Sequence, residues 1–115
     1  MKIIIVGAGK VGYTLAENLS KDNNYDVTVI DKDDDALAKV EENLDVLCIK
    51  GNGVSASILM EAEIVNSDLI IAVTGSDEIN MLCCLTAKKL GVKKAVARVR
   101  NPEYSRSEEH TSELQ

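Results

Sequence analysis

Trp and Phe are absent from the 115-residue chain, and only three Tyr are present. That excludes the stacking platforms on which single-stranded nucleic acids are usually held. A basic stripe is missing too: 13 basic residues face 19 acidic ones, for a formal charge of −6. Such a chain is a poor partner for a phosphate backbone or an anionic membrane surface. No apolar run approaches the ~20 residues that span a bilayer. Met1 leads straight into an apolar strand, without a basic leader or cleavage site. A soluble domain with no direct membrane insertion is therefore expected. Cys48, Cys83 and Cys84 form no CxxC pair. They point away from zinc and disulfides, toward buried or half-buried free thiols in a reducing cytosol.

Ile and Val are plentiful, and they gather in short runs separated by helical patterns. Ile3 to Val6 reads as a strand, followed by a helix from Lys10 with Val11, Leu15 and Leu19 at i, i+4 and i+8. "DVTVI" from Asp26 is a second strand. The helix after it starts near Asp33, with Ala36, Val40 and Leu44 inward. "DVLCI", "DLIIAV" and "KAVARV" supply three more strands. A short helix follows the "GNG" turn. A longer one runs from Asp77 to Leu90 with Ile79, Leu82, Cys83, Thr86 and Leu90 on one face, and Gly91 ends it. Asn101-Pro102 reads as an N-cap with proline at the first helical position. Strands alternating with helices of this length imply βαβ units. The expected architecture is α/β: a Rossmann-type, doubly wound parallel sheet of order 3-2-1-4-5 with helices on both faces.

Gly7-Ala8-Gly9-Lys10-Val11-Gly12 is a full GxGxxG between a strand and a helix. Asp31 follows at the end of the second strand, which strengthens the motif. In the binding reading, Gly7 permits a tight turn, Gly9 lets a pyrophosphate reach the backbone, and Gly12 lets the helix pack on the sheet. The helix N-terminus offers free N–H groups to the phosphates. Asp31 accepts from the ribose hydroxyls and disfavours a 2′-phosphate, with Lys32 tempering that preference. The alternative is that the glycines only shape a turn. For Lys10, contact with a distal phosphate and simple solvation both stand.

Other residues fall at the carboxyl ends of strands, where ligands bind in open α/β sheets. Gly51, Asn52 and Gly53 are candidates to flank an adenine, and Thr74 and Gly75 to lie near the second half of a dinucleotide. Arg98 is placed to reach a phosphate or a partner subunit. Asp77 reads as a helix cap. Against hydride-transfer chemistry, residues 1–105 hold no His, and no Tyr is followed four residues later by Lys.

The last ten residues, "RSEEHTSELQ", break from the preceding pattern and match the conceptual translation of a sequencing-adapter oligonucleotide. They are read as a non-native tail, 106–115, on a domain comprising residues 1–105 that continued further in its natural chain. Without Arg106, Glu108, Glu109 and Glu113, 12 basic residues face 16 acidic ones, and His110 is lost.

Four stretches carry a family resemblance: "MKIIIVGAGKVGYTLAENL", "DVTVIDKD", "DLIIAVTGSDEINMLCCLTAKKLG" and "ARVRNPEY". Through them the chain closely resembles the TrkA-N, KTN or RCK N-terminal family, the nucleotide-binding regulatory domains of potassium-uptake proteins. The resemblance implies a non-enzymatic cytoplasmic subunit that binds NAD(H) or ATP/ADP. It implies dimers or higher rings at the inner face of the membrane, gating a potassium channel or transporter. It sets Lys10 near the distal phosphates and Asp31 on the ribose. Asn52 stands where the family often has Asp, and Glu63 where it often has Gly. The rival reading is the coenzyme domain of an NAD-dependent dehydrogenase whose catalytic part is missing; a scaffold for another transporter or a ligase is a third.

Overall fold

A computed structural model describes residues 1–106 and 113–114. Strands β1 (Lys2–Val6), β2 (Asp26–Asp31), β3 (Leu47–Lys50), β4 (Leu69–Ala72) and β5 (Lys94–Ala97) are parallel neighbours in the order 3-2-1-4-5. This is the expected doubly wound sheet. A two-residue strand, β6 (Glu113–Leu114), adds an antiparallel edge beside β5. The rest of the suspected tail beyond Arg106 lies outside the described residues.

The sheet is covered on both sides, and β1 shows why. Ile4 and Val6 face one apolar cluster with Leu59, Ile64, Ile70, Cys83 and Cys84. Ile3 and Ile5 face the other, with Ala16, Val29, Leu37 and Val40. Side chains alternate across a strand, so a sheet buried on both faces needs unbroken apolar runs. "IIIV" meets that need. Helices α1 (Lys10–Ser20) and α2 (Asp34–Asn43) supply the second cluster; α3 (Ala56–Glu61) and α4 (Asp77–Leu90) supply the first.

Helix faces depart from the expected ones. On α1 the fully buried residues are Gly12 and Ala16, while Val11 is 41% exposed. Small residues let the helix lie close on the sheet, so the larger Leu15 and Leu19 flank the contact half-buried. On α2, Leu37 and Val40 are buried and Ala36 is only half-buried. On α4 the inward line is Asn80, Cys83, Cys84 and Ala87, and Leu82 is 51% exposed. A buried asparagine sets that line, so an apolar count alone mis-rotates the helix.

Helix ends follow the expected chemistry. Gly91 closes α4 in the left-handed region at φ 112°, after Lys88 and Lys89 in the last turn. Asn101 caps α5 (Pro102–Arg106), its Oδ1 accepting from the Glu103 N–H at 2.9 Å. Glu63, where a glycine is frequent in the resembling family, has φ 63° and ψ 45°. Left-handed backbone costs a residue with a Cβ about 1–2 kcal/mol, which accounts for a glycine preference there.

Candidate functional site

The strand order reverses between β1 and β4, and a cleft of about 720 Å3 opens at the carboxyl ends of the strands there. That volume is typical of small-molecule sites, and the position is where open α/β sheets bind ligands. Gly7, Gly9, Lys10 and Val11 line it from the first loop, and Asp31 and Lys32 from the end of β2. Gly51, Asn52 and Gly53 line it from β3, Thr74 and Gly75 from β4, and Arg98 from β5. Of the residues expected from the sequence to contact a ligand, only Ala8 and Gly12 are not on the wall.

Those two act beneath it. Gly7 turns with φ 110°, and a Cβ on Gly12 would stand 1.7 Å from the Gly7 carbonyl oxygen. The first turn of α1 therefore rests against the loop that precedes it. The Ala8 N–H donates to Asp31 Oδ2 at 2.7 Å, tying that loop to β2. Asp31 Oδ1 accepts from the Asp33 N–H at 2.8 Å. Both carboxylate oxygens thus hold a backbone donor, and each keeps a further lone pair for the cleft.

Helices α1 and α4, which both begin at the cleft, differ at their N-termini. Gly9 is the N-cap of α1 and offers no side-chain cap; no acidic residue lies in the first turn. The first N–H groups of a helix lack intrahelical acceptors, so this end presents donors and partial positive charge to the cleft. A Cβ on Gly9 would meet nothing within 4 Å. The N-terminus of α4 carries its own side-chain cap. Ser76 Oγ accepts from the Ile79 N–H at 3.2 Å, and Asp77 and Glu78 occupy the first turn. Asp77 is therefore not the cap that the sequence suggested. Its oxygens instead take the N–H groups of Arg100, at 3.0 Å, and Asn101, at 2.7 Å. These bonds hold its carboxyl below the usual carboxylate range.

The cleft is polarised. Asp31 and Asp33 stand at the β2 side, and Arg98 and Arg100 at the β5 side, with Lys10 on the loop of β1. Arg98 Nη2 donates to the carbonyls of Val73 at 3.2 Å and Thr74 at 2.8 Å, while its buried Nε has no partner among the described residues. Asn52 Oδ1 accepts from the Val54 N–H at 3.1 Å, shaping the turn between Gly51 and Gly53.

The profile of the TrkA-N domain family matches residues 3–111. The chain belongs to the TrkA-N family. Among relatives, it is 47% identical over 104 residues to the Trk system potassium uptake protein TrkA homolog of Archaeoglobus fulgidus, covering 90% of this chain and 23% of that one. It is 44% identical over 105 residues to the Trk system potassium uptake protein TrkA of Vibrio alginolyticus, with coverage of 90% and 23%. This TrkA-N domain thus spans about a quarter of the length of those relatives. In fold it is similar to the AMP-bound Kef CTD of Shewanella denitrificans, with TM-score 0.73 and 19% identity over 90% of this chain and 62% of that one. A structure described as the GsuK channel gives 0.79 and 24%, over 96% and 20%.

Two residues of this TrkA-N domain escaped the sequence reading. Asn80 is fully buried. Its Oδ1 accepts from the Thr74 N–H at 2.8 Å and the Thr74 hydroxyl at 2.7 Å. Its Nδ2 donates to the carbonyls of Thr74 at 3.2 Å and Arg98 at 3.0 Å. One side chain thus joins the ends of β4 and β5. The available signal was a polar residue on the same helical face as Cys83, Cys84 and Ala87. Arg100 lines the cleft two residues after Arg98, and its Nη2 donates to the Gly75 carbonyl. Alternation past the end of β5 was its signal.

Proposed function

We propose that this domain senses an adenine nucleotide, NAD(H) or ATP/ADP, and gates a membrane potassium channel or transporter. In this reading it acts as part of a homodimeric or larger ring at the cytoplasmic face of the membrane. The uncapped N-terminus of α1, opening into the cleft beside Asp31, carries the reading. The first-turn N–H groups of α1 and the backbone of Gly7 to Gly12 hold phosphates, with Lys10 at the distal one. Asp31 takes the ribose hydroxyls on its remaining lone pairs, beside Lys32. Gly51, Asn52 and Gly53 flank the adenine, and Thr74, Gly75 and Arg98 border the far half of the ligand. Relatives named for potassium uptake, an AMP-bound structure and a channel structure of the same fold support this assignment.

Sensing rather than catalysis is supported by the state of the reactive groups. Burial pushes the Cys83 and Cys84 thiols up to about 12, so they stay protonated and inert at neutral pH. Tyr104 donates its hydroxyl to Glu78 at 2.6 Å, which holds its proton more tightly. Among the described residues no helix is long and apolar enough to cross a membrane, in keeping with attachment through a partner.

Calorimetric titration with NADH, NADPH, ATP and ADP tests the reading. At least one ligand without a 2′-phosphate should bind, and Lys10→Ala should weaken ATP more than ADP. NADPH binding more tightly than the rest would overturn the role of Asp31; equal losses for ATP and ADP would return Lys10 to solvent.

A further inference from the structure

The segment leaving β5 is fastened to the cleft loop between β4 and α4 along its length. Arg98 spans the carbonyls of Val73 and Thr74, and Arg100 reaches that of Gly75. The two oxygens of Asp77 then grip consecutive N–H groups, of Arg100 and Asn101. Tyr104, in α5, holds Glu78 at 2.6 Å. These bonds link residues 23 to 26 positions apart, and each of them uses a side chain.

Both arginines also line the cleft, and their bonded acceptors are neutral carbonyls. A phosphate is a charged acceptor that fits the guanidinium fork bidentately, which a single carbonyl does not, so it competes for both arginines. The unpartnered Arg98 Nε shows that donor capacity remains unspent. An anion in this half of the cleft therefore stabilises one arrangement of the arginines. Because the backbone of Arg100 is pinned to Asp77, that arrangement is passed on to the start of α5.

We propose that the strap 98–104 is the output of the cleft, and that Asp77 is the positioning residue that transmits ligand phosphate to α5. The proposal rests on the nucleotide reading above and adds to it a direction of travel. A ligand shifts such an equilibrium only by its difference in affinity between the two states. Adenosine, which lacks phosphate, should occupy the cleft without moving the strap.

Hydrogen exchange of the amides of Arg100, Asn101, Glu103 and Tyr104, with calorimetry on the same samples, tests this. At saturation ADP or NADH should slow exchange at least fivefold, and adenosine less than twofold. Asp77→Ala should abolish the ADP effect, while Asp77→Asn, which keeps one acceptor oxygen, should restore part of it. Reciprocity limits the loss of ADP affinity in Asp77→Ala to about the same fivefold. ADP and NADH binding without protection, or equal protection by adenosine, would overturn the strap and leave the nucleotide site standing. No binding by any nucleotide would overturn both.

Discussion

The loops after β1 and β4 face each other across the cleft and are built in opposite ways. The first, Gly7 to Gly12, is shaped by side chains that are missing. Gly7 takes a left-handed φ, Gly12 leaves room for the Gly7 carbonyl, and Gly9 leaves the head of α1 uncapped. The second, Val73 to Asn80, is shaped by side chains that are present. Thr74, Ser76 and Asn80 satisfy backbone N–H groups of the loop itself, and Asp77 those of the strap beside it. A helix end can offer its donors to an anion only if its own chain has not used them. By that test the β1 side is the one suited to bind an anion, and the β4 side is the one proposed to respond.

The largest effect expected from breaking this contrast is at Gly12. A Cβ there collides with backbone at 1.7 Å, so α1 must lift from the sheet. Gly12→Ala should cost at least about 4 kcal/mol, among the larger single-residue effects, read from urea denaturation midpoints. Gly9→Ala is its counterpart, since that Cβ meets nothing. It should change stability by no more than about 1 kcal/mol yet weaken ADP binding tenfold or more. Parallel losses in both variants would merge a folding glycine with a binding one.

Next comes Asn80→Ala, which strands the Thr74 N–H and the Arg98 carbonyl in a buried setting. Unsatisfied buried groups cost about 1–3 kcal/mol each, so a loss of about 3 kcal/mol is expected in the same assay. A change below about 1 kcal/mol would mean that the β4 loop does not depend on its side chains.

A smaller effect follows acid. The Asp77 carboxyl titrates below its ordinary 3.8 because the folded backbone donates to its ionised form. Its contribution to the strap is therefore present above the ordinary carboxylate pKa, and is lost as pH falls through the depressed folded value. The Arg100 and Asn101 amide resonances should move on acidification with a midpoint below 3.8. A midpoint at or above 3.8 would show that the clamp is not formed in solution.

The smallest effect expected is none. Residues 106–115 are proposed to be foreign to the domain, and deleting them should leave the melting temperature and the ADP affinity unchanged. A fall in either would make Glu113–Leu114, beside β5, part of the native sheet.

Much of this architecture was legible before any coordinates. Apolar runs broken by helical periods dictate a parallel sheet covered on both faces, because each strand must bury both of its sides. GxGxxG between a strand and a helix, with Asp31 beyond, marks the bend and the open helix end, because those depend on residues adjacent in sequence. Asn80, Arg100 and the true task of Asp77 emerged only from the tertiary structure. Their partners lie 6 to 25 residues away, and most are brought into reach because β5 lies beside β4. The inward place of Gly12 was legible in the glycine motif, but that of Ala16 required the sheet: it wins by being small where the helix lies close to the strands, and no hydrophobicity pattern carries that information.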